Sequence, residues 1–143
     1  MRALAWSLAV GLFACTSATA DAADKKEKKT FYVVEASMTP SALKNGTQAN
    51  WHITITPEGE WVLKTETPFK VTVTASENLQ LSKNKFSAKD FKDPKAKAKQ
   101  IETAVTVQGP GDAFVQADLV FFLCNPQICE RHTETIRSAF VVQ

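Results

Sequence analysis

Most of the chain after Thr30 alternates between apolar and polar residues with a period of two. The alternation is clearest at 51–56, where Trp, Ile and Ile interleave with His, Thr and Thr, and again at 69–74. A period of two sends successive side chains to opposite faces of a strand, so these segments are expected to be half-buried in a sheet. Only 87–100 could form a helix, and Pro94 interrupts it. The pattern therefore predicts an all-β protein.

Turn signals rich in Pro, Gly and Asn separate the alternating segments. The predicted strands number about seven or eight and lie near 31–38, 51–56, 61–63, 69–74, 79–81, 101–107, 113–124 and 133–142. Residues 120–122 are apolar on both faces, which is typical of a central strand. Many short strands joined by tight turns favour an immunoglobulin-like antiparallel β-sandwich over residues 30–143.

The first residues are expected to direct export rather than to join the fold. Residues 1–20 combine one charge, at Arg2, with an apolar run and the small-residue pattern Ala18-Thr-Ala20, as in a signal peptide. An alternative is a lipobox ending at Cys15, which would make that cysteine a lipid anchor. Residues 21–29 are Lys-rich and are expected to form a disordered tether. Both alternatives predict a periplasmic protein.

Charge and composition exclude several function classes. Without Arg2, 16 basic residues face 15 acidic ones, so the exported chain has a net charge of only +1. Secretion also argues against a nucleic-acid partner, and no later segment is apolar enough to span a membrane. We find no Ser/His/Asp set and no glycine-rich phosphate loop, so the sequence points to no hydrolase, nucleotide site or cofactor.

The cysteines Cys124 and Cys129 flank the four residues Asn-Pro-Gln-Ile, directly after an apolar strand. The strands before and after this loop are consecutive, so a hairpin is expected to bring the thiols within bonding distance. A disulfide is favoured in an exported protein. Closing so small a loop adds only about 2 kcal/mol of stability in the chain-entropy model. The pair is therefore either a local staple or an accessible redox centre.

Three features together resemble a known family. They are an exported β-sandwich beginning near Thr30, the Trp51-His-Ile-Thr-Ile55 strand followed by Pro57-Glu-Gly59, and a late apolar strand that runs into Cys-x4-Cys. The chain resembles the periplasmic N-terminal domain of the bacterial thiol:disulfide interchange reductase DsbD. The resemblance spans about 30–142. It implies that the domain passes electrons by thiol–disulfide exchange.

The resemblance also implies roles for individual residues and partners. Cys124 and Cys129 would be the catalytic pair of a thiol-disulfide oxidoreductase component, and Cys129 would attack first. The expected partner is a thioredoxin-like protein or another periplasmic disulfide protein, which would also supply the electrons. Arg131 and His132 follow Cys129 closely and could lower its pKa or accept a proton.

Other interpretations remain open at this level. The domain could be a non-enzymatic binding module in which the disulfide only pins a hairpin. Cys124, Cys129 and His132, joined by His52 or Met38, could instead bind copper or zinc. The segment 83–99 holds seven lysines with Phe86 and Phe91 between them. That segment is expected to be a solvated loop whose aromatic residues pack on the sandwich, or else a basic contact surface.

Overall fold

The computed structural model describes residues 31–143, which form eight strands and one short 3-10 turn. The predicted signal peptide, the tether and Cys15 lie outside the described residues. The strands are β1 (Tyr32–Thr39), β2 (Gln48–Pro57), β3 (Lys70–Ala75), β4 (Leu79–Leu81), β5 (Lys85–Phe86), β6 (Lys99–Val107), β7 (Gly111–Cys124) and β8 (Cys129–Val142). The 3-10 turn is Ala88–Asp90. Within 31–143, no helix has the length and apolar character needed to cross a membrane.

The strands form two four-stranded sheets in which every strand pair is antiparallel. The first sheet has the order β1-β2-β6-β4 and the second has the order β5-β3-β7-β8. The chain therefore crosses between the sheets after β2, after β3, after β4 and again after β5 and β6. This arrangement is the immunoglobulin-like β-sandwich that the alternation predicts.

The core lies between the inner faces of the two sheets. On β2 the alternation buries Trp51, Ile53 and Ile55, each at most 1% exposed. From the opposite sheet β7 buries Leu119, Phe121 and Leu123 to the same degree. Fully burying side chains of this size contributes about 1.5–3 kcal/mol each, so these two strands supply much of the driving force for folding.

Strands β7 and β8 are the longest, with 14 residues each, and they pair along their whole length. The sequence pattern places the start of the last strand near Thr133, but β8 begins at Cys129. The difference arises because residues 130–132 are Glu, Arg and His, so the start of β8 carries no apolar alternation. Strand β8 is the edge of its sheet.

Another local prediction differs from the structure. The segment 61–63 does not form a strand; only Val62 makes a bridge, to Cys124 at the end of β7. As the break at Pro94 predicts, 87–100 forms no α-helix; it holds the 3-10 turn and the first two residues of β6. A segment that pairs at a single residue cannot extend a ladder, so 60–64 remains a loop that lies along the second sheet.

Candidate functional site

The predicted disulfide between Cys124 and Cys129 is present, with a Cα–Cα distance of 4.0 Å. The two cysteines are direct cross-strand partners at the end of the β7–β8 ladder. The loop between them is organised by Asn125, whose side-chain Oδ1 accepts hydrogen bonds from the N–H groups of Gln127 and Ile128, both at 2.8 Å. The Asn125 N–H donates to the Ile128 carbonyl at 2.9 Å. This side-chain turn sets the hairpin geometry that brings the sulfurs together.

The two cysteines differ sharply in exposure. Cys124 is 1% exposed, whereas Cys129 is an exposed residue. Val62 explains the difference, because it exchanges two backbone hydrogen bonds with Cys124, both at 2.9 Å, on the side away from β8. Residues paired in this way point their side chains to the same face, so Val62 covers the Cys124 side chain. Cys129 lies on the edge strand and has no such neighbour among residues 31–143.

The 60–64 loop is held in place by side chains that point into the core. Trp61 and Leu63 are buried, and the Trp61 ring packs on Phe31 with a centroid distance of 5.0 Å. The alternate residues therefore face outward beside the disulfide. A pocket of about 220 Å³ opens there, lined by Glu60, Val62, Lys64, Cys124, Asn125 and Pro126.

The surface around the disulfide is partly apolar. Val62 is 40% exposed and Ile128 is 51% exposed. Within residues 31–143, four large hydrophobic residues are exposed, and these are two of them. Sequence reasoning missed Val62 and Lys64 as site residues, because a single bridge to Cys124 leaves no pattern in the sequence. Exposed apolar side chains therefore lie beside the exposed Cys129.

His132 lies on the opposite face of β8 from the disulfide. It pairs with Phe121, whose side chain is in the core, and its ring packs against Phe121 and Tyr32 at centroid distances of 5.7 and 4.9 Å. The hypothesis that His132 accepts a proton from Cys129 is therefore wrong for this structure. Arg131 is two residues from Cys129 and shares its face, so it is the one of the two that can act on the sulfur's charge.

Polar side chains line the inner face of β8 where it meets β1. The Tyr32 hydroxyl donates a hydrogen bond to the Glu134 carboxylate. Burial, followed by this hydrogen bond and the negative charge of Glu134, raises the pKa of Tyr32 above its ordinary value. The Nε2 atom of His132 is buried and lies 3.7 Å from the Glu130 carboxylate, with no hydrogen-bond partner among residues 31–143. The Tyr32 contacts with Glu134 and His132 therefore link β1 of the first sheet to β8 of the second.

The copper or zinc hypothesis requires His132 and either His52 or Met38 beside the cysteine pair, and Met38 is buried on β1 of the other sheet. Cys124 and Cys129 are bonded to each other, and His132 faces the core. His52 lies on the outer face of the first sheet, where its Nε2 is 2.5 Å from the Ser37 hydroxyl. Within residues 31–143, no three His, Cys, Asp or Glu side chains are grouped so that they could hold a metal ion.

The Lys-rich segment 83–99 is anchored by its aromatic residues. Phe86 and Phe91 are buried, and Phe91 packs on Phe69 at 4.6 Å between ring centroids. Lys99 is also buried, and its ammonium donates to the Pro94 and Ala96 carbonyls at 2.5 Å each. The aromatic rings therefore face the core and are not available as a contact surface.

Comparisons with known proteins add little to this geometry. A scan against models of known protein families found no match, and a search of curated proteins found none either. Among solved structures, the crystal structure of AggA, the major subunit of aggregative adherence fimbriae type I from Escherichia coli, matches at 10% sequence identity and a TM-score of 0.37. The match covers 78% of this chain and 95% of that one. So low a TM-score supports no inference about function.

Proposed function

We propose that this domain is an exported, periplasmic thiol–disulfide exchange module that passes electrons through Cys124 and Cys129. The observation that carries the proposal is the unequal exposure of the two cysteines, with Cys124 buried beside Val62 and Cys129 open at the sheet edge. A working redox pair needs one accessible sulfur to meet the partner and one protected sulfur to complete the exchange. The resemblance to the DsbD N-terminal domain points to the same use of the pair.

The exchange would proceed in two balanced steps. A thiolate of a reduced partner attacks the Cys129 sulfur, the Cys124–Cys129 bond breaks, and Cys124 leaves as a thiolate with the electron pair. The partner's second thiolate then attacks the partner's first sulfur, the one bonded to Cys129 in the mixed disulfide, and releases Cys129 as a thiolate. The partner dithiol is oxidised to a disulfide and the domain gains two electrons. The reverse sequence delivers those electrons to an oxidised partner, for which a thioredoxin-like protein is the proposed class.

Arg131 and Lys64 would assist by electrostatics. Arg131 shares the outer face of β8 with Cys129, and Lys64 lines the pocket beside Cys124. Positive charge near a thiol favours its thiolate, which is both the attacking and the leaving species. Arg131 would therefore favour the thiolate of Cys129, and Lys64 that of Cys124.

The rival function is a binding module in which the same disulfide only pins the hairpin. The ladder between β7 and β8 disfavours this alternative, because 14 residue pairs already hold the strands together and leave a structural disulfide little to add. Redox titration against glutathione separates the two functions. A potential well below about −300 mV would identify a structural staple and overturn the exchange proposal.

A trapping experiment supplies the positive result. The Cys124→Ser variant keeps the exposed thiol but lacks the resolving one, so a mixed disulfide with a thioredoxin-like partner should accumulate. The Cys129→Ser variant is the matched control and should trap much less, because its remaining thiol is buried. Equal trapping by both variants would contradict the assignment of roles.

A further inference from the structure

Strand β8 lies at the edge of its sheet and begins at Cys129, which places outward-facing backbone groups directly beside that residue. Both backbone groups of Cys124 bond to Val62, on the side away from β8. In an antiparallel ladder this makes Cys124 and Cys129 a non-hydrogen-bonded pair, which agrees with their short Cα–Cα distance of 4.0 Å. The N–H and C=O of Cys129 therefore point away from β7, toward the open edge.

The same orientation repeats at every second residue of β8. By alternation, the backbone groups of Arg131, Thr133 and Thr135 also face the open edge. The far end of the strand follows the same alternation. The N–H of Gln143 donates to the Leu43 carbonyl and its C=O accepts a hydrogen bond from the Asn45 N–H, both at 3.1 Å. Elsewhere along this edge, no backbone group from residues 31–143 makes such a bond.

We propose that β8 docks an extended, cysteine-containing segment of the exchange partner as an added antiparallel strand, with the partner cysteine opposite Cys129. This proposal rests on the proposed exchange function and names the form in which the partner is bound. Because the N–H and C=O of Cys129 face the added strand, the two cysteines would be a hydrogen-bonded pair, with Cα atoms about 5.5 Å apart and side chains on one face. Cα atoms joined by a disulfide usually lie about 4.4–6.8 Å apart, so this spacing is compatible with a mixed disulfide.

The three sulfurs would then form a row across the sheet. Cys124 on β7 and the partner cysteine on the added strand would lie on opposite sides of Cys129. Substitution at sulfur proceeds with the attacking and leaving atoms on opposite sides of the attacked atom. The partner thiolate would form its bond to the Cys129 sulfur while Cys124 leaves with the electron pair toward Val62, as the exchange requires.

Charge on the outer face of β8 indicates the chemistry of the segment. That face carries Arg131 and Arg137 but no carboxylate. The Arg137 guanidinium already lies over the Phe114 ring at 3.8 Å, whereas Arg131 makes no ion pair within 31–143. A segment with an acidic residue two positions from its cysteine would place that carboxylate opposite Arg131.

The test uses the full mature chain carrying Cys124→Ser and a short peptide of alternating Val and Thr with one central cysteine. The peptide thiol is activated as its mixed disulfide with thionitrobenzoate. Attack by the Cys129 thiolate forms the Cys129–peptide bond and releases thionitrobenzoate with the electron pair, which is read by its absorbance. Two further peptides carry backbone N-methyl groups, one at the residues two positions from the cysteine and the other at its immediate neighbours.

Methylation two positions away blocks the N–H groups that would face β8, and methylation of the neighbours blocks only those that face solvent. We expect the first peptide to react about tenfold more slowly than the unmethylated one, as loss of one to two backbone hydrogen bonds predicts, and the second to react at nearly the parent rate. Equal rates for the two methylated peptides would overturn strand docking. The same rate ratio measured with the fully reduced natural chain removes any dependence on the folding of the variant.

A protein variant provides a second measurement. Thr133→Pro removes an N–H that faces the open edge and leaves the β7 ladder intact, a position at which edge strands accept proline. For each protein, the rate with the parent peptide is divided by the rate with the thionitrobenzoate disulfide of free cysteine. This quotient should be about tenfold smaller for Thr133→Pro than for the protein without that substitution. An unchanged quotient would overturn the docking proposal.

Failure of the docking proposal can be told apart from failure of the exchange function. Rapid reaction with the small disulfide but no discrimination among peptides would reject docking and leave exchange standing. A Cys129 thiol that reacts with neither reagent would reject exchange, and docking with it. A concentration-dependent dimer, seen by sedimentation and abolished by Thr133→Pro, would assign the edge to a second copy of this chain and would also reject docking of a partner.

Discussion

The Tyr32 hydroxyl donates a hydrogen bond to the Glu134 carboxylate and so joins β1 of one sheet to β8 of the other. Both strands lie at the edges of their sheets, on the same side of the sandwich. Tyr32 is 9% exposed and packs edge-on against Phe121 at 5.1 Å between centroids. This hydrogen bond, the Tyr32–Glu134 clasp, therefore links the edges of the two sheets and lies beside the Phe121 ring.

We expect Tyr32→Phe to lower the free energy of unfolding by about 1–2 kcal/mol, because it leaves a half-buried carboxylate without its donor. Urea denaturation measures the change. Glu134→Gln is the control, since its amide oxygen can still accept the hydrogen bond, and it should cost less. A Tyr32→Phe protein as stable as the natural one would show that the clasp makes no net contribution.

Alkaline pH should open the same clasp. The pKa of Tyr32 is raised by burial and by Glu134, so the folded protein holds this proton more tightly than the unfolded chain does. The contribution to stability is complete below the ordinary tyrosine pKa of about 10 and is lost as pH rises toward the folded value. Tyr32 is the single tyrosine of the chain, so tyrosinate absorbance reports on it alone.

In that titration we expect tyrosinate to appear only together with loss of the folded signal in circular dichroism. Tyr32→Phe should lose less stability between neutral pH and high pH than the natural protein does. Ionisation of Tyr32 near its ordinary pKa, in protein that remains folded, would contradict the prediction.

Alkylation of the reduced protein should distinguish the two cysteines. With limiting iodoacetamide, we expect Cys129 to be modified at least about tenfold faster than Cys124, because reactivity follows exposure as well as thiolate character. Val62→Ala should raise the modification of Cys124, since it removes part of the side chain that covers it. Peptide mapping by mass spectrometry measures both rates.

Val33→Ala is a suitable control for that experiment. Val33 is also exposed, at 43%, but it lies on β1 of the other sheet and does not contact the disulfide. The ratio of the two alkylation rates should not change in this variant. If Val62→Ala also leaves the ratio unchanged, some other group shields Cys124.

The Lys-rich segment should respond to loss of its aromatic anchors rather than of its charges. Phe91→Ala removes a buried ring that packs on Phe69, and we expect it to destabilise the fold by about 3–5 kcal/mol. Lys95→Ala, at an exposed position of the same segment, should change stability by less than about 0.5 kcal/mol. Thermal unfolding checks both. A small effect of Phe91→Ala would mean that the ring is not part of the core.

Alternation was enough to predict the sandwich, because strands such as β2 and β3 bury one face and solvate the other. The position of His132 could also have been predicted. It is three residues from Cys129, so strand geometry places the two side chains on opposite faces. The role of Val62 could not, because a single bridge to Cys124 depends on how two distant segments meet.

The polar residues on the inner face of β8 have a consequence for solubility. An open edge strand of 14 residues without proline or glycine is a template on which copies of a chain can stack into fibrils. Glu130 and Glu134 point inward along this strand, and burying their charges in a stack of identical chains would be costly. The edge of β8 can therefore remain open for transient binding of a partner segment even where many copies of the protein are close together.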